Sequence, residues 1–232
     1  CRVEEQKRKI NWDERARMLK ELFDKYKSNS NYDCIIPVSG GKDSYFQTHY
    51  VTKILGLKPL LVTYHGNNYL PEGERNLQRM RKVFDVDHII FRPSKELLVK
   101  MNRLCFMKMG DMNWHAHCGI FTYPVQIAMK FKIPLIMWGE HGPTDLSGMY
   151  SMNDFIEMTA KERLEYFLRG FDWYDMVNEE EGIREKDVLW AKYPTDKELE
   201  ENKIRGIYIG NYVDWDANKQ VEIIKKEYNW IS

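Results

Sequence analysis

The sequence predicts an α/β protein with a Rossmann-like parallel sheet, helices on both faces of that sheet, and helical N- and C-terminal extensions. Short apolar runs alternate with amphipathic segments over residues 31–138, and repeated strand–helix order implies parallel strands joined by helices. The first apolar run ends in a Ser- and Gly-rich loop that precedes a predicted helix. Open parallel sheets bind their ligands at that end of their strands.

The individual elements follow from periodicity and from turn residues. In residues 11–27 the apolar side chains recur at steps of three and four, as on an amphipathic helix. The further helices of the core are predicted at residues 45–55, 74–84, 94–107 and 121–131. The strands, which are short apolar runs bounded by Gly, Pro or polar residues, are predicted at residues 32–38, 58–64, 88–91 and 134–138.

The order of elements changes after residue 148. A charged helical stretch at 154–169 and an acidic loop at 179–181 precede a strand at 204–212 and a last helix that ends near residue 228. We therefore divide the chain into an N-terminal helical segment (1–30), a core that carries the Gly-rich loop (31–150), and a mostly helical extension of the same body (151–232). Cys1 stands where an initiator Met is expected, which predicts that the sequence begins inside a longer protein.

Composition argues against several classes of protein. Lys and Arg together number 35, as do Asp and Glu, so we expect no nucleic-acid partner. No apolar run approaches the roughly 20 residues of a spanning helix, so we expect no membrane insertion. The four cysteines lack metal or disulfide spacing, which predicts a reducing, cytoplasmic compartment. Cys34 lies within a predicted buried strand and is expected to pack in the core instead of acting as a nucleophile.

The Gly-rich loop is the segment that indicates chemistry. It consists of Ser39, Gly40, Gly41, Lys42, Asp43 and Ser44. Adjacent glycines let backbone N–H groups approach an anion, and the following helix directs its positive end at the same point. Lys42 adds a positive charge, the serine hydroxyls can donate to phosphate oxygens, and Asp43 either meets Mg²⁺ or caps the helix. The loop therefore predicts binding of phosphate or pyrophosphate.

The loop is not a Walker A motif, because Ile36 stands where that motif needs Gly and Asp43 where it needs Ser or Thr. In its strand–loop–helix setting it resembles the SGGxDS signature of PP-loop ATP pyrophosphatases. These enzymes share an adenine nucleotide α-hydrolase-like fold and split ATP into AMP and pyrophosphate. The resemblance implies ATP and Mg²⁺ as cofactors, with the loop around the phosphates and Lys42 and Asp43 in catalysis.

The same resemblance assigns two further strand ends to the ATP site. The adenine is expected against the end of the second strand, at Val62 and Tyr64. Gly139 and Glu140 follow a later strand and are expected beside the ATP. His141 and Asp145 come next in the chain, and Asp145 is a second candidate ligand for Mg²⁺ besides Asp43.

Several segments together resemble the bacterial N-acetyl sugar amidotransferases of surface-polysaccharide and flagellin-sugar biosynthesis. The matching stretches are residues 10–15, 32–44, 56–63, 110–120, 134–140 and 210–215. The resemblance implies that ATP adenylates the acetamido oxygen of a nucleotide-linked N-acetyl sugar, and that ammonia then replaces AMP to give an acetamidino sugar. A separate glutaminase would supply the ammonia, and the product would serve lipopolysaccharide or related glycan synthesis. Cys1 matches the last cysteine of a zinc-binding segment in that family, so zinc is expected only ahead of residue 1.

The segment around residue 115 suggests further site residues. His115 is a candidate proton shuttle for the attacking ammonia, and Trp114 and His117 are candidate substrate contacts. A zinc site is an alternative, because His115 and His117 would share one side of an extended segment and Cys118 follows them. Asn67 and Arg75 come after the second strand, where a nucleotide-sugar can approach.

Two other functions remain open on the sequence. A tRNA-modifying PP-loop enzyme would carry the same loop, although the zero net charge and the lack of a cysteine pair for sulfur transfer count against it. A regulatory module that binds ATP or AMP without turnover could also retain the loop. Release of pyrophosphate distinguishes the enzymes from the module, and salt-sensitive tRNA binding distinguishes the two enzymes.

Overall fold

The computed structural model describes residues 2–27, 31–145 and 148–231. Cys1, for which we predicted a link to a preceding zinc segment, lies outside the described residues. The helices are α1 (Arg2–Lys7), α2 (Trp12–Tyr26), α3 (Lys42–His49), α4 (Pro71–Phe84), α5 (Lys95–Met109), α6 (Trp114–Phe131), α7 (Gly142–Asp145), α8 (Ala160–Glu162), α9 (Asp196–Glu201) and α10 (Ala217–Tyr228). The strands are β1 (Cys34–Pro37), β2 (Pro59–Tyr64), β3 (His88–Phe91), β4 (Leu135–Trp138) and β5 (Arg205–Tyr208).

The described residues form one five-stranded sheet of order β3-β2-β1-β4-β5. Every neighbouring pair in it runs parallel, with Ile35 opposite both Leu60 and Ile136 at the centre. This confirms the predicted Rossmann-like α/β class and each predicted strand. The chain enters β1, moves outward to β2 and β3, and then returns to β4 on the other side. The order therefore reverses between β1 and β4, and in this kind of sheet the crevice at such a switch point is where ligands bind.

Alternate residues of each strand supply the two faces of the sheet. Ile36 of β1 packs on one face with side chains from α2, α3, α4 and α10. Ile35, its neighbour, packs on the other face, mainly against α6. Because a strand points successive side chains to opposite sides, apolar runs such as residues 34–36 indicate burial on both. The predicted covering of both faces by helices is confirmed.

Some element boundaries differ from the prediction. We predicted a helix at residues 121–131 with an extended segment before it, but α6 begins at Trp114. Its N-terminal half contains His, Gly and Thr, which are poor helix formers, and tertiary packing overrides that weak preference. The stretch predicted as helix at 154–169 is helical only over α8 and the π-helical turn Arg163–Phe167.

The C-terminal extension completes the sheet. Its strand β5, which is shorter than the predicted 204–212, pairs with β4 over four residues and forms one edge. The remainder of the extension is largely short 3₁₀ turns up to α10, which packs against α3. The segment is thus less helical than predicted. No helix among the described residues is long and apolar enough to cross a lipid bilayer.

Candidate functional site

The Gly-rich loop lies at the switch point of the sheet. It connects the carboxyl end of β1 to α3, which begins at Lys42 directly after the glycines. Gly139 and Glu140 follow β4, the next strand across the reversal. Two segments that are about a hundred residues apart in sequence therefore meet at one crevice, as the sequence predicted for a ligand site.

Hydrogen bonds within the loop fix its curvature. The Ser39 backbone N–H donates to Ser44 Oγ over 2.9 Å, and the two serine hydroxyls are 3.3 Å apart. Gly41 is the N-cap of α3 and makes no side-chain cap, so Asp43 does not cap the helix in this structure. The Asp43 carboxylate instead pairs with the Lys42 ammonium group. The free N–H groups at the start of α3 and the Lys42 charge together favour an anion at this point.

A cavity of about 220 Å³ opens beside this loop. Its polar rim comprises Ser39, Ser44 and Glu140, and Val62 and Tyr64 of β2 line one wall. The remaining wall is largely apolar and includes Ile120, Phe121, Pro124, Trp138 and Tyr208. Pockets that enclose a whole drug-sized ligand measure roughly 300–1,000 Å³, so this cavity suits one ring system with the rest of the ligand on the open loop.

Carboxylates gather on the β4 side of the loop. The pKa of Glu140 is raised by burial and by the negative charges of Asp43 and Asp145, while Lys42 opposes the shift. Burial also raises the pKa of Asp145, although Lys7 lies 3.6 Å from its Oδ1. That Oδ1 atom is buried and accepts no hydrogen bond from the described residues. Asp43 and Asp145 thus oppose the ionisation of Glu140, and a cation beside Glu140 would relieve this repulsion. Among the described residues no three of these carboxylates are placed to bind one metal ion, so the protein could supply two ligands at most.

Tyr64, which lines the cavity, is hydrogen-bonded to the buried side chain of His115. The Tyr64 hydroxyl lies 3.1 Å from His115 Nδ1, and the Asn102 amide, oriented to satisfy its neighbours, donates to His115 Nε2 over 3.1 Å. Burial, reinforced by the charge of His117, lowers the pKa of His115 to about 4, so the ring is neutral near pH 7. Both ring nitrogens are thus occupied and only 4% of the residue is exposed. This geometry favours a role for His115 in supporting the Tyr64 side chain over its predicted role as a proton shuttle.

The other residues of this segment do not meet at the site. Because residues two apart on a helix point in very different directions, His115 and His117 do not share a side, contrary to our expectation for an extended segment. Cys118 is buried and contacts Thr122 and Arg163. Among the described residues no group of three His, Cys, Asp or Glu side chains is placed to bind a metal, so the zinc alternative has no geometric support.

Trp114 and His117, predicted as substrate contacts, both lie away from the cavity. Trp114 does not line the cavity; it is buried in the apolar cluster behind Tyr64, and its indole N–H donates to the Phe171 carbonyl over 3.0 Å. His117 faces outward, with Nδ1 4.0 Å from Asp111. Cys34 is fully buried and burial raises its thiol pKa, in keeping with the predicted core position.

Asn67 and Arg75 have different surroundings. Asn67 has a φ of 59°, and its side chain donates to the Pro93 carbonyl over 2.8 Å, so it ties the loop after β2 to the end of β3. Arg75 is exposed on α4 and forms no ion pair with the described residues. It stands beside Asn76 and Leu77, whose backbone lies against Gly40.

Apart from Trp138, which the sequence placed beside the ATP together with Gly139, the apolar wall of the cavity was not predicted. Phe121 and Pro124 lie on α6, which the sequence indicated only as a packing helix, and Tyr208 ends a strand that is distant in sequence. The proline inside α6 was the available signal, because a proline in a helix interior is costly and calls for a local reason.

Replacing Gly119 by alanine should deform the Tyr64 wall. A Cβ atom at Gly119 would lie 2.3 Å from the Tyr64 ring, so the ring must move. We expect a loss of about 1–3 kcal/mol in unfolding free energy, typical of overpacking, and weaker nucleotide binding. Chemical denaturation and nucleotide titration measure both. Combining Gly119→Ala with Tyr64→Leu makes room for the methyl group, so the double mutant should lose less than the sum of the single mutants.

Comparison with known proteins gives limited information. The sequence matches no protein-family model and no curated protein. Among solved structures, the chain is similar to NMN synthetase from Francisella tularensis, with 10% identity, a TM-score of 0.46, and coverage of 94% of this chain and 96% of the other. It is also similar to NH3-dependent NAD synthetase from Campylobacter jejuni subsp. jejuni NCTC 11168 in complex with the nitrate ion, with 11% identity, a TM-score of 0.46, and coverage of 80% and 99%. Both likenesses are too remote to assign an activity.

Proposed function

We propose that this chain is an ATP-dependent, AMP-forming amidating enzyme of the PP-loop type, and that its substrate is a nucleotide-linked N-acetyl sugar. The observation that carries the proposal is the position of residues 39–44 at the switch point, beside a largely apolar cavity and next to the carboxylates of Asp43 and Glu140. The first feature suits phosphates, the second suits a base, and the third suits a cation. ATP with Mg²⁺ has all three parts.

The chain's own residues would each act on a different part of ATP. The purine would enter between Val62 and the Phe121 side of the cavity. The N–H groups at the start of α3, the Ser39 and Ser44 hydroxyls and the Lys42 ammonium would hold the phosphates that leave as pyrophosphate. The backbone and serine donors are ordered by hydrogen bonds within the loop before the ligand arrives, so they can stabilise charge that develops on the leaving group.

The carboxylates fit a magnesium ion. Mg²⁺ is commonly bound by one or two carboxylates together with substrate phosphates, so a complete protein cage is not needed. Asp43 is on the loop. Burial and the charges of Asp43 and Asp145 raise the pKa of Glu140, and burial raises the pKa of Asp145. Asp43 with Glu140 or Asp145 would hold the ion. A bound Mg²⁺ would neutralise charge on the phosphates.

The amidation follows in two displacements. The acetamido oxygen attacks the α-phosphorus of ATP, the bond to the bridging oxygen breaks, and pyrophosphate leaves with that electron pair. Ammonia then adds to the activated carbon, the C–O bond breaks, AMP leaves, and loss of a proton gives the acetamidino group. Adenylation is needed because the amide carbon is a poor electrophile on its own.

The choice of a sugar substrate rests on the resemblance over six segments of the sequence, which include the loop and residues 110–120 and 210–215. We further propose that a separate glutaminase supplies ammonia.

The test is to supply the protein with ATP, Mg²⁺, ammonium ions and a nucleotide-linked N-acetyl sugar, and to measure AMP, pyrophosphate and the mass of the sugar. The proposal expects AMP and pyrophosphate in equal amounts and a sugar lighter by about one mass unit, because O is replaced by NH. Without ammonia, labelled pyrophosphate should still exchange into ATP when the sugar is present. AMP formation that depends on tRNA and not on the sugar would contradict the substrate, and tight ATP binding without any turnover would contradict catalysis.

Activity should fall as the pH drops through the raised pKa of Glu140. The carboxylate must be ionised to bind Mg²⁺, and burial together with Asp43 and Asp145 moves its titration above that of an ordinary glutamate. The Mg²⁺ concentration for half-maximal activity should therefore rise on acidification. Glu140→Gln should raise that concentration about tenfold or more at neutral pH and remove this pH dependence. Glu180→Gln, at an exposed position, is the matched control.

A further inference from the structure

Residues 228–231 cross the outside of the phosphate-binding loop. The indole N–H of Trp230 donates to the Gly40 carbonyl over 3.1 Å, although the two residues are 190 positions apart. Gly40 has a φ of 81°, a left-handed conformation, and it lies directly against the backbone of Leu77. The tryptophan thus reaches the most constrained peptide of the loop from the side that faces away from its N–H groups.

This hydrogen bond determines where the next amide points. The Gly40 carbonyl and the Gly41 N–H belong to one planar trans peptide, in which the C=O and N–H bonds point in opposite directions. If Trp230 holds the carbonyl, the Gly41 N–H is directed the other way, toward Ser39 Oγ at 3.4 Å. That contact is long, so this N–H is available to a stronger acceptor such as a phosphate oxygen. Rotation of the peptide would turn a carbonyl toward the phosphate instead.

Residues 228–231 are hydrogen-bonded to side chains of α4 and α3 at several points. Asn76 donates through its side chain to the Ile231 carbonyl over 2.6 Å and accepts from the Ile231 N–H over 3.4 Å. The Arg79 guanidinium donates to the carbonyls of Asn229 and Tyr228, at 3.0 and 3.2 Å. The Tyr228 hydroxyl lies 2.6 Å from His49 Nδ1. Trp230 therefore approaches Gly40 from an ordered support.

We propose that Trp230 is a positioning residue for the phosphate-binding loop, which it serves by holding the Gly40 peptide with the Gly41 N–H toward the bound phosphate. The proposal rests on the proposed function, because it assigns the orientation of one donor in the same ATP site. It predicts that removing a single N–H from the periphery of the protein weakens the binding of phosphates that Trp230 does not touch.

Trp230→Phe removes the donor and retains an aromatic ring at the position. We expect pyrophosphate, titrated with Mg²⁺, to bind about three- to tenfold more weakly, as for loss of one hydrogen bond of roughly 1 kcal/mol. The KM for ATP should rise by a similar factor while the KM for the nucleotide-sugar stays unchanged. Hydrogen exchange should become faster at the Gly41 and Lys42 amides. Tyr32→Phe is the matched control, because it also removes one side-chain hydrogen bond, from the Tyr32 hydroxyl to Asp87 at 2.7 Å, and Tyr32 lies before the amino end of β1, opposite the loop.

A second variant distinguishes positioning from general destabilisation. Asn76→Asp removes the side-chain donor to the Ile231 carbonyl and does not change Trp230 itself. It should therefore loosen residues 228–231 and weaken the Trp230 hydrogen bond indirectly. If the two changes act through one segment, the loss of pyrophosphate affinity in the double mutant will be smaller than the product of the single losses. If the loss in the double mutant equals the product of the single losses, the two changes act separately and the proposal is wrong.

The outcomes separate this inference from the proposed function. If the wild-type protein binds pyrophosphate and Trp230→Phe matches Tyr32→Phe in affinity, KM for ATP and loop exchange, the positioning role is wrong and the function stands. If the wild-type protein binds neither pyrophosphate nor ATP in the presence of Mg²⁺, the proposed function is wrong. Loop exchange in Trp230→Phe would still show whether the indole orders the peptide.

Discussion

Gly40→Ala is expected to abolish ATP turnover, with a loss of at least about a hundredfold, because the new methyl group has no room. An ideal Cβ at this position would lie 2.7 Å from the backbone nitrogen of Leu77 and 2.8 Å from its Cα. Backbone atoms of α4 cannot move aside as the end of a side chain can, so the loop must shift. A displacement of about 1 Å in a positioning element can already cost about a hundredfold in rate.

The other glycines of the chain provide graded controls. Gly56 has a similarly positive φ of 65°, but a Cβ there would meet nothing within 4 Å among the described residues. Gly56→Ala therefore measures the cost of the left-handed conformation alone. We expect it to lower the free energy of unfolding by about 1–2 kcal/mol and to leave turnover unchanged. Gly41 is in the same loop at a φ of −72°, and its Cβ would approach only Ser39 Oγ, at 3.4 Å.

We would measure pyrophosphate release and thermal unfolding on all three variants. Together they distinguish an effect of the contact with α4 from an effect of the left-handed conformation. We expect activity to decrease in the order Gly56→Ala, Gly41→Ala, Gly40→Ala, whereas Gly40→Ala and Gly56→Ala both lose stability. If Gly40→Ala retained wild-type turnover, the contact with α4 would not set the loop conformation and the site would have to be sought elsewhere.

The sequence was most informative where local pattern and topology coincide. Residues 39–44 and Glu140 could be placed together from sequence, because each follows an apolar strand and the carboxyl ends of parallel strands share one edge of the sheet. Tyr64 lines the cavity for the same reason, being the last residue of β2. These predictions needed only the strand boundaries and the direction of the strands.

The remainder of the site depends on contacts that no local pattern encodes. The extended interpretation of residues 114–118 placed His115 and His117 on one side, and α6 separates them because the helical period is 3.6 residues and the strand period is 2. Trp230 reaches Gly40 across 190 positions, and a tryptophan near a helix end carries no sign of such a contact. Lys7 reaches Asp145 from a helix of six residues that periodicity could not reveal.

Lys42→Ala should reduce kcat/KM for ATP by about a hundred- to a thousandfold, the effect typical of removing one group that stabilises developing charge. In this structure Lys42 pairs with the neighbouring Asp43, and the two side chains are 33% and 38% exposed. Both are therefore accessible to a ligand. When ATP and Mg²⁺ bind, the ammonium can turn to the phosphates and the carboxylate to the ion, so the internal pair is replaced by two stronger contacts.

The exchange of partners predicts an unequal effect on binding and on catalysis. Without Lys42 the pyrophosphate loses a counter-charge that matters most as the leaving group gains charge, so kcat should fall more than ATP affinity does. Lys42→Arg retains the charge with a different shape and should recover part of the rate. Lys53→Ala, an exposed lysine beyond α3, should leave the rate unchanged. Equal pyrophosphate release from Lys42→Ala and the wild type would mean that another group, or another protein in the preparation, cleaves ATP.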